Sequence, residues 1–157
     1  MKIILLGAGQ VGSSLAYSLV KEGNDITLID TDYKVLEEIS DKVDLRVLCG
    51  NAAHPDILEK AGAQQADMIV ALTKSDEVNM IACQVAHVLF KTPTKIARIR
   101  TPQYLTHDNL FITEALAIDV VISPEILISQ HIEQLIDNPG ALQVLSFAND
   151  RILLIAM

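Results

Sequence analysis

The chain has 157 residues, half of them hydrophobic and 20% charged. That suits one folded domain with a real core and excludes disorder. Twenty acids against twelve bases leave a net charge of −8, so the basic footprint that a nucleic-acid binder or a lipid-docking protein needs is missing.

The pattern alternates short apolar runs with amphipathic stretches. Residues 2–6 read as a strand and 10–22 as a helix. Strand 25–30 is followed by helix 32–40, and strand 45–49 by a short helix over 55–61. Strand 67–72 precedes a long helix over 76–90, and strand 95–100 a helical stretch about 109–117. A short strand at 120–122 leads into a helix over 125–136. Six strands separated by helices make βαβ units, which pair in parallel. The predicted fold is therefore α/β, a Rossmann-like doubly wound parallel sheet. The absence of Trp, with only three Tyr and three Phe, agrees with an aliphatic core of that kind.

The long helix is marked clearly. Ser75 is a candidate N-cap, and Asp76 and Glu77 occupy the first turn, where the helix dipole favours acids. Val78, Ile81, Ala82, Val85, Val88 and Leu89 are spaced as one core-facing stripe. After Asn138-Pro139-Gly140 the pattern changes to two strands, 142–147 and 151–156, around Ala148-Asn149-Asp150, a short C-terminal β-hairpin. A lone hairpin is marginal, so the natural protein is expected to continue, or a partner to supply the missing strands. The expected division is a nucleotide-binding domain over 1–138 and a further lobe starting at 139–157.

No run of about 18 apolar residues occurs, and Gly-Ala-Gly interrupts the apolar start. Neither a span nor a signal peptide is predicted, and the expected location is the cytoplasm. Cys49 and Cys83 form no disulfide framework.

Gly7-Ala8-Gly9-Gln10-Val11-Gly12 fits Gly-x-Gly-x-x-Gly between a predicted strand and a predicted helix. In that context Gly7 makes the turn, Gly9 lets backbone approach a pyrophosphate, and Gly12 lets helix and strand pack. The helix start offers free N–H groups and a positive dipole end. A glycine-rich turn with no ligand is the alternative. Asp30 ends the second strand eighteen residues after Gly12, where a carboxylate accepts from a ribose hydroxyl and repels a 2′-phosphate, favouring NAD over NADP. It could instead cap the next helix, although Asp32 and Thr31 are nearer candidates. Asn51, after the third strand, could meet an adenine edge or serve only as a turn residue. Thr73 and Lys74, after the fourth strand, could touch phosphate or ribose, or Thr73 could merely cap. Arg98 and Arg100 share one face by alternation, and fit either a phosphate or a salt-bridged edge.

No catalytic constellation is visible. Cys83 and His87 lie one helical turn apart with no further metal ligand. Hydride transfer needs a substrate pocket with a placed acid or base, and the sheet uses about 140 residues, leaving no substrate domain.

The glycine loop, Asn24 to Asp32, Asp41 to Val47, Ser75 to Ala86, Ile96 to Arg100 and Pro139 to Val144 together resemble the TrkA family of potassium-uptake proteins, specifically their amino-terminal RCK (KTN) domain. The similarity covers essentially the whole chain. It implies a non-enzymatic regulatory domain that binds NAD(H), or in some members ATP or ADP. By position it assigns Gly7 to Gly12 and Arg98 to the phosphates, Asp30 to the ribose, and Thr73 and Lys74 to the cleft lining. It also implies homo-oligomers, dimers or higher, docked at the inner face of the membrane on a potassium transporter subunit of the TrkH/TrkG type. Many relatives carry an acid where this chain has Asn51, a departure that bears on its contact with the base. Some ATP-binding relatives carry Arg where this chain has Gln10, and that difference favours NAD here. The competing expectation is the cofactor domain of a truncated NAD-dependent dehydrogenase.

Overall fold

The computed structural model describes residues 1–138, 143–147 and 152–156, with side chains at 1–129 and 132–138. Contacts group Met1–Ile122 into one compact unit and Ser123–Met157 into a second.

The first unit carries β1 (Lys2–Leu6), α1 (Gln10–Lys21), β2 (Asp25–Asp30), α2 (Tyr33–Ser40), β3 (Arg46–Cys49), α3 (Pro55–Lys60) and β4 (Met68–Ala71). It continues with α4 (Asp76–Val85), β5 (Thr94–Arg98), α5 (Pro102–Leu105) and β6 (Val120–Ile122). The strands form one sheet in the order β3-β2-β1-β4-β5-β6, every pair parallel. This is the predicted doubly wound, Rossmann-like sheet.

Alternation along β1 explains its two-sided core. Ile3 and Leu5 pack with Ile26, Leu28, Ala16, Leu36 and Ile39 on one face. Ile4 and Leu6 pack with Ile29, Ile69, Leu58, Ala82 and Cys83 on the other. Leu5 and Leu6 are both fully buried, and truncating either to Ala would cost about 2–5 kcal/mol. Lys95 is an exception among these apolar strands. Its Nζ lies 2.8 Å from Asp119 Oδ2 and donates to the carbonyls of Thr92 and Pro93. Those partners satisfy an ammonium that burial would otherwise penalise.

Three local expectations are corrected. The helix predicted over 76–90 is α-helical only to Val85 and continues as a π-helical turn over Ala86–Phe90. The turn widens because both Lys91 and Thr92 N–H groups converge on the Ala86 carbonyl, with Lys91 left-handed at φ 57°. The predicted stripe on this helix holds only in part: Ala82 is buried, and Val78 and Val85 pack against the core. Ile81, Val88 and Leu89 are about half exposed, whereas Asp76, Asn79, Met80, Ala82, Cys83 and Ala86 face inward. Small residues let the helix sit close on the sheet. Asn79 enters because both ends of its amide are hydrogen-bonded, and Asp76 because its Oδ2 accepts two backbone N–H bonds and its Oδ1, which makes no hydrogen bond, faces the Arg100 guanidinium. Finally, no helix spans 109–117. A 3-10 turn covers Asp108–Leu110, and the loop then folds on itself through Leu116 N–H to Leu110 O and Ile118 N–H to Phe111 O. Ala117 is left-handed at φ 53°, which ends any right-handed helix.

The second unit contains α6 (Pro124–Asp137) and an antiparallel pair, β7 (Gln143–Phe147) and β8 (Ile152–Ala156). The predicted hairpin residues Ala148, Asn149 and Asp150, with the flanking Leu142 and Arg151, lie outside the described residues. Among the described residues, no helix is long and apolar enough to cross a membrane.

Candidate functional site

β1 is flanked by β2 on one side and β4 on the other. The loops leaving β1 and β4 therefore diverge, and a crevice opens beyond the strands' carboxyl ends. It holds about 450 Å³ and is walled by Gly7–Gly9, the Asp30 loop, the Gly50–Ala52 loop and the Leu72–Ser75 loop.

The glycine loop separates its three functions clearly. Gly7 takes φ 102°, and a Cβ there would lie 2.9 Å from the Leu72 carbonyl oxygen. Gly12 sits against the loop itself, where a Cβ would fall 1.9 Å from the Gly7 carbonyl oxygen. Gly9 has no such neighbour; a Cβ there would meet nothing within 4 Å. Gly9 is also the N-cap of α1, and no side chain caps that helix. The first intrahelical bond runs from Ser13 N–H to Gly9 O, 2.8 Å. The N–H groups of Gln10, Val11 and Gly12 thus have no partner within the helix. An uncapped helix start beside open space can receive an anion from that space.

Asp30 closes the opposite wall. Its Oδ2 accepts from Ala8 N–H at 2.6 Å and its Oδ1 from Asp32 N–H at 2.9 Å. Each oxygen keeps a lone pair for a ligand hydroxyl. Asp32, not Asp30 or Thr31, caps α2 by accepting from Lys34 N–H at 3.0 Å. Gly50 N–H donates to Asp30 O at 2.9 Å, which ties the third-strand loop to the second. Asn51 lines the cleft, and its Oδ1 accepts from Ala53 N–H at 3.0 Å. Its carbonyl oxygen is thus engaged in an Asx turn.

The fourth-strand lip is held from below. Asn79, fully buried on α4, accepts at Oδ1 from Thr73 N–H at 3.0 Å and lies 2.7 Å from Thr73 Oγ1. Its Nδ2 donates to the Arg98 carbonyl at 2.8 Å. The Lys74 carbonyl accepts from the Arg100 guanidinium. Asp76, with its side chain only 4% exposed, accepts at Oδ2 from the N–H groups of Arg100 (3.0 Å) and Thr101 (2.8 Å). Arg100 Nε lies 3.8 Å from Asp76 Oδ1. Burial works against ionisation of this carboxyl, but the hydrogen bonds from Thr101 and Arg100 and the Arg100 charge outweigh it and hold its pKa below the ordinary value. Beside it, the Ser75 hydroxyl donates to Glu77 at 2.6 Å and Tyr104 OH donates at 3.2 Å. The Ser75 bond is the larger cause of a lowered Glu77 pKa, and the bond to Glu77 raises that of Tyr104.

The structure therefore gathers Gly7, Ala8, Gly9, Asp30, Asn51, Thr73 and Lys74 around one cleft. Gln10, Val11 and Gly12 form the first turn of α1 behind that lining. Arg98 ends β5 outside the lining, and Arg100 lies beyond the strand as a salt-bridged edge. Sequence reasoning missed Asn79 and assigned Asp76 to the helix dipole alone. An acid in a first turn and an amide within a helix give no pattern that separates a buried clamp from a surface residue.

Sheet order, glycine loop and cleft define a Rossmann-like α/β domain with an open crevice at its switch point. The sequence model of the TrkA-N domain matches residues 3–124. The chain belongs to the TrkA-N domain family. It is 55% identical over 157 residues to the Trk system potassium uptake protein TrkA of Halomonas elongata, covering all of this chain and 34% of that protein. It thus spans about a third of the length of the curated relatives it matches. Among solved structures, it is similar to the TrkA-N domain of the inner membrane protein ybaL of Escherichia coli, with a TM-score of 0.74 and 22% identity over 85% of this chain and 95% of that one. It is also similar to the GsuK channel bound to NAD, with a TM-score of 0.64 and 21% identity over 78% of this chain and 21% of that one; GsuK has also been solved bound to ADP.

Proposed function

We propose that the cleft binds a nucleotide, NAD(H) foremost and ATP or ADP second, and that the protein is a cytoplasmic regulatory subunit of a potassium uptake system. The observation that carries this is the convergence on one cleft of an uncapped helix start at open Gly9 and a carboxylate, Asp30, with lone pairs to spare. The first suits phosphates and the second a ribose. The relatives' names support potassium uptake, and the NAD and ADP held by a protein of the same fold support the ligand class.

In this reading Gly7 to Gly12 hold the phosphates, Asp30 the ribose, Asn51 the base through its amide NH₂, and Thr73 and Lys74 the lip. Arg98 is assigned to the phosphates on the resemblance alone. By sequence pattern the nucleotide-binding domain is assigned to 1–138 and a further lobe from 139, whereas contacts divide the chain after Ile122. The protein catalyses nothing and works in oligomers on a membrane transporter subunit of the TrkH/TrkG type. Ligand shifts that assembly only through unequal affinity for its two arrangements, a coupling of about 1–3 kcal/mol.

Calorimetric titration of the folded chain with NADH, NADPH and ATP tests the reading. NADH is expected to bind, and NADPH more weakly because Asp30 repels its 2′-phosphate. Absence of binding by NADH and ATP alike refutes the cleft assignment.

A further inference from the structure

Asn79 lies outside the cleft lining but bonds to Thr73, which belongs to it. The last register pair joining β4 to β5 is Ala71 with Ala97. Beyond it, Asn79 supplies the next connection with its side chain, from Thr73 N–H past the end of β4 to the carbonyl of Arg98, the last residue of β5. The amide's orientation follows from its partners. A backbone N–H can only donate and a carbonyl only accept, so Oδ1 must face Thr73 and Nδ2 must face Arg98. A fully buried amide within a helix is costly unless its bonds are made, and here both ends are used.

The consequence falls on Thr73, which lines the cleft. Its N–H is consumed by Asn79. Its hydroxyl has one proton and two acceptors close by, Asn79 Oδ1 at 2.7 Å and Ser75 O at 3.1 Å. That proton is therefore committed to the protein. Ser75 N–H approaches Thr73 Oγ1 at 3.3 Å, which leaves one lone pair. We infer that Asn79 is a positioning residue that turns Thr73 into an acceptor-only contact, so that the Thr73 hydroxyl takes a donor of the ligand, a sugar hydroxyl, and not a phosphate oxygen. The assignment rests on the proposed reading of the cleft as a nucleotide site.

NADH is titrated by calorimetry into the chain and its Thr73→Val, Thr73→Ser and Asn79→Ala variants, and amide exchange at Thr73 is followed with and without NADH. Thr73→Val, which removes the acceptor at constant volume, is expected to weaken NADH about three- to tenfold, the scale of one hydrogen bond. Thr73→Ser is expected to restore affinity to within about twofold, and Asn79→Ala to weaken it at least as much as Thr73→Val. The Thr73 amide should be equally protected in both states, since its partner is Asn79 in each. Wild-type affinity in Thr73→Val, or a Thr73 amide that gains protection only with NADH, overturns the inference. If Asn79→Ala does not fold, the Thr73 pair and the exchange data decide alone. Failure of the unmodified chain to bind any nucleotide refutes the site reading instead, and the inference falls with it.

Discussion

Gly9 and Gly12 stand three residues apart in one loop, yet substituting them should have opposite consequences. Gly9→Ala adds a methyl where nothing lies within 4 Å, at φ −66°, a conformation open to any residue. Losing glycine at an N-cap costs about 0.5–1 kcal/mol, while the reduced freedom of the unfolded chain returns about 0.4–1 kcal/mol. The two nearly cancel. At about 2–4 °C per kcal/mol for a chain of this size, Tm should move by no more than about 2 °C. The same methyl, however, projects into the open space before the uncapped helix. A phosphate displaced from one charge-assisted hydrogen bond loses about 1.5–3 kcal/mol, or roughly ten- to a hundredfold in affinity. Gly12→Ala reverses the outcome. Its Cβ would fall 1.9 Å from the Gly7 carbonyl, so loop and helix must separate at about 1–3 kcal/mol, a fall in Tm of roughly 3–10 °C. Differential scanning calorimetry beside NADH titration of both variants checks this. A Gly9→Ala variant that binds NADH as the unmodified protein does, or that melts as early as Gly12→Ala, refutes the reasoning.

Asp76→Asn should lower stability by about 1–3 kcal/mol at neutral pH, since the Arg100 ion pair and two charge-assisted bonds weaken. Because the Asp76 pKa is lowered from 3.8, its contribution is complete above that value and disappears as pH falls through the folded-state pKa. Tm of the two proteins measured between pH 7 and pH 2 should converge at the acid end; a gap constant with pH contradicts the ion pair. Thiol counting should find one prompt thiol, the exposed Cys49. Cys83 is buried, and burial pushes its pKa up to about 12, so a second thiol should react only in denaturant. Asp30→Ala is expected to weaken NADH at least about tenfold and to narrow its advantage over NADPH; an unchanged preference in the titration would place the ribose elsewhere.

The strands were legible because each is a short apolar run ended by a turn residue. β1, β2 and β6 match their predicted limits, and the all-parallel order follows from helices between them. The glycine loop and Asp30 were legible because their roles belong to backbone geometry that sequence spacing encodes. The buried face of α4 was not. Hydropathy favours Ile81, Val88 and Leu89, but close packing on a sheet selects Cys83 and Ala86 beside the predicted Ala82, and hydrogen bonding brings in Asn79. The 109–117 loop misled for a related reason. Its apolar residues have helical spacing, yet the hydrogen bonds that fold it back involve residues five to seven apart, and Ala117 adopts a conformation its side chain does not advertise. Lys95 likewise reads as a surface residue until Asp119 and two carbonyls are seen around it.

The first strand made is one of the two central strands of the sheet, with later strands added outward on both sides. During synthesis β1, β2 and β3 can associate before β4 exists, and they then present the glycine loop and Asp30 without the opposing lip. The crevice comes into being only when the segment ending at Ala71 docks on β1 through the pairs from Ile3–Met68 to Leu6–Ala71. A ligand spanning both walls thus binds only chains whose two half-sheets have joined. At a hundred times its Kd such a ligand would favour the joined form by about 2.7 kcal/mol, so that binding and closure of the sheet would be one equilibrium.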